Sequence, residues 1–190
     1  TIIDDPDLQA DQWKLYPTAI TPFTKIKEWY DKGIYKPYSE TNNAIQLVDV
    51  ITHALTRVPE YIRINRVVRD IPEKSIIGGL KKSNLRQVIN DKMTADGIFC
   101  KDIRNREVKY SENNLNDIKL KISTYNSSNG TEYFISYTSK NEKILYGFIR
   151  LRINMNNDDV LNCLHNHALI RELHVFGEHC AIDTGRNNNN

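Results

Sequence analysis

The chain has 190 residues, 39% of them hydrophobic and 26% charged, and its 26 Lys+Arg against 24 Asp+Glu give a formal charge of +2. That length buries roughly two-thirds of the unfolded surface, enough for one medium domain or two small lobes without staples. The composition excludes a uniformly polycationic or polyacidic protein. Three cysteines without CxxC spacing exclude a disulfide framework, and no apolar run of about 18 residues is present to cross a membrane.

In chain order, Trp13-Lys-Leu-Tyr-Pro17 is a short apolar and aromatic run ended by proline, which predicts a buried strand emptying into a loop. Residues 22–32 carry Phe23, Ile26 and Tyr30 at helical spacing with Gly33 as a stop. Residues 43–57 place Ala44, Leu47, Val48, Ile51 and Leu55 on one stripe, so both segments are predicted helices. A strand followed by helices fits the closing unit of an α/β barrel or sheet. Residues 61–68 are rich in β-formers and interrupted by Arg63 and Arg66; as a strand they put Arg63 and Arg69 on one face and Ile62 and Ile64 on the other. Asn84 with Gln87 reads as a capping box, opening an amphipathic helix through Leu85, Val88, Ile89 and Met93 that Gly97 stops.

Beyond residue 110 the period changes from helical to alternating. Ile118, Leu120 and Ile122, then Tyr133, Ile135 and Tyr137, alternate across Asn129-Gly130, a type I′ hairpin signal. Residues 145–153 continue the meander, and 168–176 form a fourth strand. The expected organisation is 1–57, 58–110 and 111–190, an α/β chain that is α+β within itself.

Charge is unevenly placed. Residues 57–109 hold 13 basic and 7 acidic groups, an excess of +6 that includes Arg63, Arg66, Arg69, Lys81, Lys82, Arg86, Arg104 and Arg106. Arginine suits phosphate because its planar fork donates two hydrogen bonds at once, so this third is where a polyanion would bind. The bland alternative pairs Arg69 with Asp70 and Arg106 with Glu107 and leaves the rest solvated. Cys100, isolated here, reads as a small buried hydrophobe. Glu172 is the one acid in an apolar strand, either salt-bridged to Arg150 or Arg171, or a working carboxylate. Cys163, His165 and His167 with His174, His179 and Cys180 invite a metal reading, although a polar hairpin fits them better. With no basic leader and no disulfide pattern, the expectation is a cytoplasmic protein, with the nucleus added for a eukaryotic source.

Lys14-Leu-Tyr-Pro-Thr18, Gly33-Ile-Tyr-Lys-Pro-Tyr38, Arg66-Val-Val-Arg-Asp-Ile-Pro72, Cys100-Lys-Asp-Ile-Arg-Asn-Arg-Glu-Val108 and Arg171-Glu-Leu-His-Val-Phe-Gly177 follow one another in the order and spacing of one family. The chain resembles the Elongator catalytic-subunit family, radical S-adenosylmethionine and acetyl-CoA dependent enzymes that modify wobble uridines of tRNA. The resemblance implies the C-terminal end of a radical SAM barrel, a mixed linker, and the antiparallel first strands of a GNAT-type acetyltransferase fold. It implies S-adenosylmethionine, a [4Fe-4S] cluster and acetyl-CoA as cofactors, with the cluster's cysteine triplet before Thr1 and the coenzyme's Gln-x-x-Gly-x-Gly loop after Asn190, so that residues 1–190 alone would be inactive. Lys14, Tyr16, Pro17 and Thr18 would face the S-adenosylmethionine site, the eight basic residues would hold tRNA, and Glu172 would sit on the strand that precedes the coenzyme loop. Cys100 would join a structural zinc whose other ligands lie outside these residues. Implied partners are tRNA and either other Elongator-type subunits or a second copy. The rival readings are a catalytically silent RNA-binding scaffold and a lysine N-acetyltransferase.

Overall fold

In the computed structural model, which describes residues 5–81, 84–109, 117–154 and 161–177, the run at Trp13 forms a short strand, β1 (Gln12–Lys14), beside β3 (Arg63–Arg66). The two pair in parallel, Gln12 opposite Arg63 and Lys14 opposite Arg66, with a bulge after Trp13. Parallel neighbours need a long crossover. It is supplied by β2 (Ala19–Ile20), α1 (Lys25–Asp31) and α2 (Ile45–Arg57). Beyond β3, β4 (Gly78–Gly79) returns antiparallel to β2, and α3 (Leu85–Ala95) and α4 (Ile103–Arg106) follow.

The chain divides into two compact units. The first comprises Gln9–Asn105 with Thr1–Asp5, and the second comprises Arg106–Asn190 with Pro6–Leu8. In the first, α2 presents Leu47, Ile51 and Leu55 four residues apart, the spacing that puts side chains on one helical face. They bury against Val58, Ile62, Ile64 and Val67 and against Leu85, Ile89 and Met93 of α3. Each fully buried aliphatic side chain contributes about 1.5–3 kcal/mol. Ile62 and Ile64 are fully buried, as the strand reading requires, while Arg69 lies beyond the end of β3.

Two local expectations need correction. Thr24 Oγ1 donates to the Thr21 carbonyl at 2.7 Å, a turn that delays α1 to Lys25 and leaves Phe23 exposed before it. The capping box does not form: Asn84 holds the cap position without a side-chain cap bond, and Gln87 donates to Asp91 Oδ1 at 2.7 Å.

Among the described residues the second unit is a four-stranded antiparallel meander, β5 (Ile118–Ser127), β6 (Gly130–Ser139), β7 (Leu145–Asn154) and β8 (Ala168–Val175), in that order. The first hairpin turns one residue earlier than its sequence suggests. Ser127 pairs with Gly130, and Ser128 and Asn129 take the positive φ values of 44° and 59° that a type I′ turn needs. Gly130 instead makes room for a neighbour, because a Cβ there would stand 2.6 Å from a nitrogen of the Arg152 guanidinium.

The faces of this sheet invert the simple pattern. Glu132, Phe134, Ser136, Thr138, Phe148 and Arg150 are buried, whereas Leu120 and Ile122 are 54% and 57% exposed. Buried charge persists where it is paired. Glu132 accepts from Arg152 and Arg171 at 3.0 Å each, and Arg150 donates to Glu172 at 2.7 Å.

Glu142 follows β6 and receives the ammonium groups of Lys119 at 2.8 Å and Lys121 at 2.6 Å. These hydrogen bonds pull its carboxyl down to about 2, against an ordinary value of about 4.3. A depressed carboxyl stabilises the fold above its unfolded value and loses that contribution as pH falls through the folded one. Denaturant titrations taken from neutral pH down to about pH 2 should therefore show a shallower acid-side loss of stability for Glu142→Gln than for the parent, with the difference developing below about pH 4.3. The effect is modest because the group is partly solvated.

Candidate nucleic-acid interface and cavity

Because β1 and β3 are parallel, the segments leaving their C-terminal ends depart on the same side. Leu15 N–H donates to the Arg66 carbonyl at 2.8 Å, which locks residues 15–18 beside residues 66–70. Leu15, Tyr16, Pro17 and Thr18 then line a cavity of about 250 Å³, completed by Tyr38, Ser39, Leu47 and Ile51. Lys14, on the outer side of β1, is exposed and does not line it.

The cavity wall is held from behind by β4. Gly79 has φ +97° and lies so near the Thr18 carbonyl that a Cβ would stand 2.7 Å from it. Its N–H donates to Glu40 Oε1 at 2.7 Å, and Tyr30 donates its hydroxyl to the same carboxylate at 3.1 Å. That hydrogen bond and the nearby negative charge raise the Tyr30 phenol above its usual value. Ser39 Oγ is buried at the cavity and has no hydrogen-bond partner among the described residues.

The structure sorts the basic residues into three kinds. Arg66 is exposed and ion-paired with Asp70; Arg69, also exposed, holds its guanidinium 4.9 Å from the centre of the Tyr16 ring, so Asp70 is not its partner as the bland reading supposed. Arg63 is partly exposed on β3, Lys81 is exposed just after β4, and Arg104 is exposed while donating to the Asn65 carbonyl at 3.1 Å. Arg86 and Arg106 are committed inward. Arg86 donates to the Ile64 carbonyl at 2.9 Å and reaches Asp102 at 3.5 Å, and Arg106 is 2% exposed. Lys82 lies outside the described residues.

Sequence reasoning missed Asp102. Among so many surface-type charges its burial leaves no signal, yet it is fully buried and organises its neighbourhood. Its Oδ2 accepts the Ile64 N–H at 3.2 Å and its Oδ1 accepts the Cys100 thiol at 3.2 Å. Cys100 Sγ also lies 3.4 Å from the Leu55 carbonyl. Burial, reinforced by the Asp102 charge, pushes this thiol up to about 12. The environment is that of a protonated buried thiol. Among the described residues no group of three His, Cys, Asp or Glu is placed to hold a metal, and no helix is long and apolar enough to cross a membrane.

In the second unit Glu172 Oε2 accepts Arg150 Nε at 2.7 Å, and its Oε1 lies 3.3 Å from His174 Nε2. Arg150 is 1% exposed, lies 5.3 Å from the ring centres of both Phe134 and Phe148, and donates to the Tyr125 hydroxyl at 3.3 Å. Of the two alternatives for Glu172, the geometry displays the salt bridge. Cys163 is exposed.

Comparison with known proteins accounts for the order of these parts. Residues 10–95 match the Radical_SAM C-terminal domain family. The tRNA uridine(34) acetyltransferase of Methanocaldococcus jannaschii is 37% identical over 188 residues, covering 93% of this chain and 33% of that protein. The Elongator complex protein 3 of Homo sapiens is 33% identical over 178 residues, covering 92% of this chain and 32% of that protein. The solved structure of Methanocaldococcus infernus Elp3 with an N-terminal deletion superposes with a TM-score of 0.79 at 34% identity, over 95% of this chain and 43% of that one. The chain belongs to the Elongator catalytic-subunit family. It spans about a third of the length of these curated relatives. The mixed α/β architecture expected of an Elongator catalytic-subunit segment is present.

The Asp102 knot gives a direct check. Replacing Asp102 with Ala orphans the buried Ile64 N–H, and an unsatisfied buried donor costs about 1–3 kcal/mol. Denaturant titration should show a loss of that size. In the folded parent, maleimide labelling followed by peptide mass spectrometry should modify Cys163 and spare Cys100, and the Asp102→Ala chain should label at Cys100 sooner.

Proposed function

We propose that this segment serves tRNA wobble-uridine modification, its basic residues seating the RNA beside a cavity wall that belongs to the S-adenosylmethionine side of the enzyme. The full reaction in this reading is addition of a carboxymethyl group at C5 of uridine, drawing on acetyl-CoA. One observation carries it: the parallel β1 and β3 ladder delivers Tyr16, Pro17 and Thr18 and the residues from Arg66 to Asp70 to the same end. A strand-end cavity with basic groups at its lip suits a nucleotide that is anionic on one side and flat on the other.

The residues fit the absent groups unequally. A cavity lined by two tyrosines and by Ser39, whose Oγ has no hydrogen-bond partner among the described residues, fits an organic ligand with hydrogen-bonding groups. When bound, S-adenosylmethionine supplies the radical with which this family activates an acetyl group. The chain has no cysteine triplet and no Gln-x-x-Gly-x-Gly loop, so its residues fit neither the [4Fe-4S] cluster nor the coenzyme pyrophosphate. No zinc enters the proposal, because the Cys100 thiol is committed to Leu55 and Asp102.

Within this chain Arg63, Arg66, Arg69, Lys81 and Arg104 hold phosphates, whereas Arg86 ties α3 to β3. Tyr16, Pro17 and Thr18 shape the cavity wall. Glu172 is a positioning residue that anchors the buried Arg150 and orients His174. The meander of β5 to β8 is read as the opening strands of a GNAT-type fold; its strand order and its exposed apolar face, which a further layer would cover, support that. As partners we infer tRNA and either other Elongator-type subunits or a second copy.

The full-length protein, given tRNA, S-adenosylmethionine and acetyl-CoA under anaerobic reducing conditions, should yield wobble uridine heavier by a carboxymethyl group in nucleoside mass spectrometry. Changing Arg63, Arg66 and Lys81 together to Ala should weaken tRNA binding and slow product formation. Undiminished binding by that variant would remove the proposed RNA role, and unmodified uridine from the parent would remove the proposed activity.

A further inference from the structure

Arg69 and Tyr16 come from segments that follow different strands and meet at the edge of the cavity. Tyr16 follows β1 and forms part of the cavity wall, Arg69 follows β3, and the guanidinium carbon sits 4.9 Å from the ring centre. Asp70, the acid next to Arg69 in the chain, is taken by Arg66 instead. Ile71 N–H donates to the Arg69 carbonyl at 3.0 Å, a tight turn that fixes the backbone from which the side chain departs.

A guanidinium lying over an aromatic face uses its π face for that contact and keeps its N–H edge for others. An exposed arginine otherwise loses considerable rotamer freedom when it grips a ligand. A ring that already holds the fork removes part of that cost. Any phosphate taken by Arg69 would therefore be fixed relative to Tyr16, and so relative to the cavity.

We propose that Tyr16 is a positioning residue for a phosphate site at Arg69, so that the two form one nucleotide subsite: a backbone phosphate of RNA on the guanidinium edge, with its nucleoside at the cavity mouth. The idea rests on the RNA-binding reading of this segment and adds to it which phosphate matters and why an uncharged residue helps bind it. Arg63 and Lys81 contribute charge to the strand as a whole, while the Arg69 and Tyr16 pair sets where one nucleotide stops. The same phosphate chemistry occurs in coenzyme A, and the subsite is assigned to RNA because its phosphate-binding arginine lies within the basic segment of residues 57–109.

The test is the salt dependence of tRNA binding by the full-length protein. Each phosphate that the protein ceases to neutralise lowers the slope of log affinity against log salt by about one unit. Arg69→Ala should lower it by that amount. Tyr16→Leu, which removes no charge, should lower it by the same amount, and the double variant by about one unit rather than two. Tyr16→Phe should keep the parent slope. Pentafluorophenylalanine at position 16 keeps the ring's shape but reverses its charge distribution, so it should behave as Tyr16→Leu does; it provides the answer if the leucine variant fails to fold. Parent slopes in both the leucine and pentafluorophenylalanine proteins, with tRNA still bound, would overturn the subsite and leave the RNA reading intact. A parent that binds tRNA without salt dependence would overturn both. Coenzyme A titrated in place of RNA should bind the parent and Arg69→Ala equally, and weakened coenzyme binding with unaltered RNA binding would reassign the arginine and overturn the proposal.

Discussion

A single backbone hydrogen bond, Leu15 N–H to the Arg66 carbonyl at 2.8 Å, continues the parallel ladder of β1 and β3 past a bulge and decides what lies beside what in the first unit. Without parallel pairing the aromatic run at Tyr16 and the arginines at 66 and 69 would leave their strands at opposite ends. With it, a cavity wall and a cluster of exposed positive charge share one edge. The bulge after Trp13 follows the same constraint, since β-bulges re-aim side chains where regular pairing ends.

The ladder is itself held from the core side. Asp102 accepts the Ile64 N–H, Arg86 donates to the Ile64 carbonyl, and the Ile103 N–H donates to the Ile62 carbonyl at 3.0 Å, so β3 is clamped by residues far along the chain. Two residues of the basic segment, Arg86 and Arg106, are drawn inward. A positive stretch in a sequence thus divides into groups that face a ligand and groups that build the platform for it. The same division appears in the second unit, where Arg150, Arg152 and Arg171 satisfy Glu132 and Glu172 on a mostly buried face.

Much of this was legible in the residues. The stripe of Leu47, Ile51 and Leu55 announced α2, Ile62 and Ile64 announced the buried side of β3, and alternation announced the meander, because periodicity reports which side of an element is apolar. What escaped depends on distant partners. The buried role of Asp102 requires Ile64 and Cys100, 38 and 2 residues away, to converge on it. Gly130 looked like a turn glycine, yet the close approach of Arg152 explains it. Tyr38 and Ser39 carry no motif signal as cavity residues, since the crossover between β2 and α2 brings them to the strand end. The inverted burial of the sheet was equally hidden: alternation identifies two faces and is silent on which one is covered.

If parallel pairing makes the strand-end loops one interface, RNA should protect both at once. Hydrogen exchange of the full-length protein, followed by mass spectrometry through a tRNA titration, reads this in the peptides containing residues 12–18 and 63–72. Both peptides should gain protection along a common binding curve. Protection of residues 63–72 with unchanged exchange at 12–18 would contradict it.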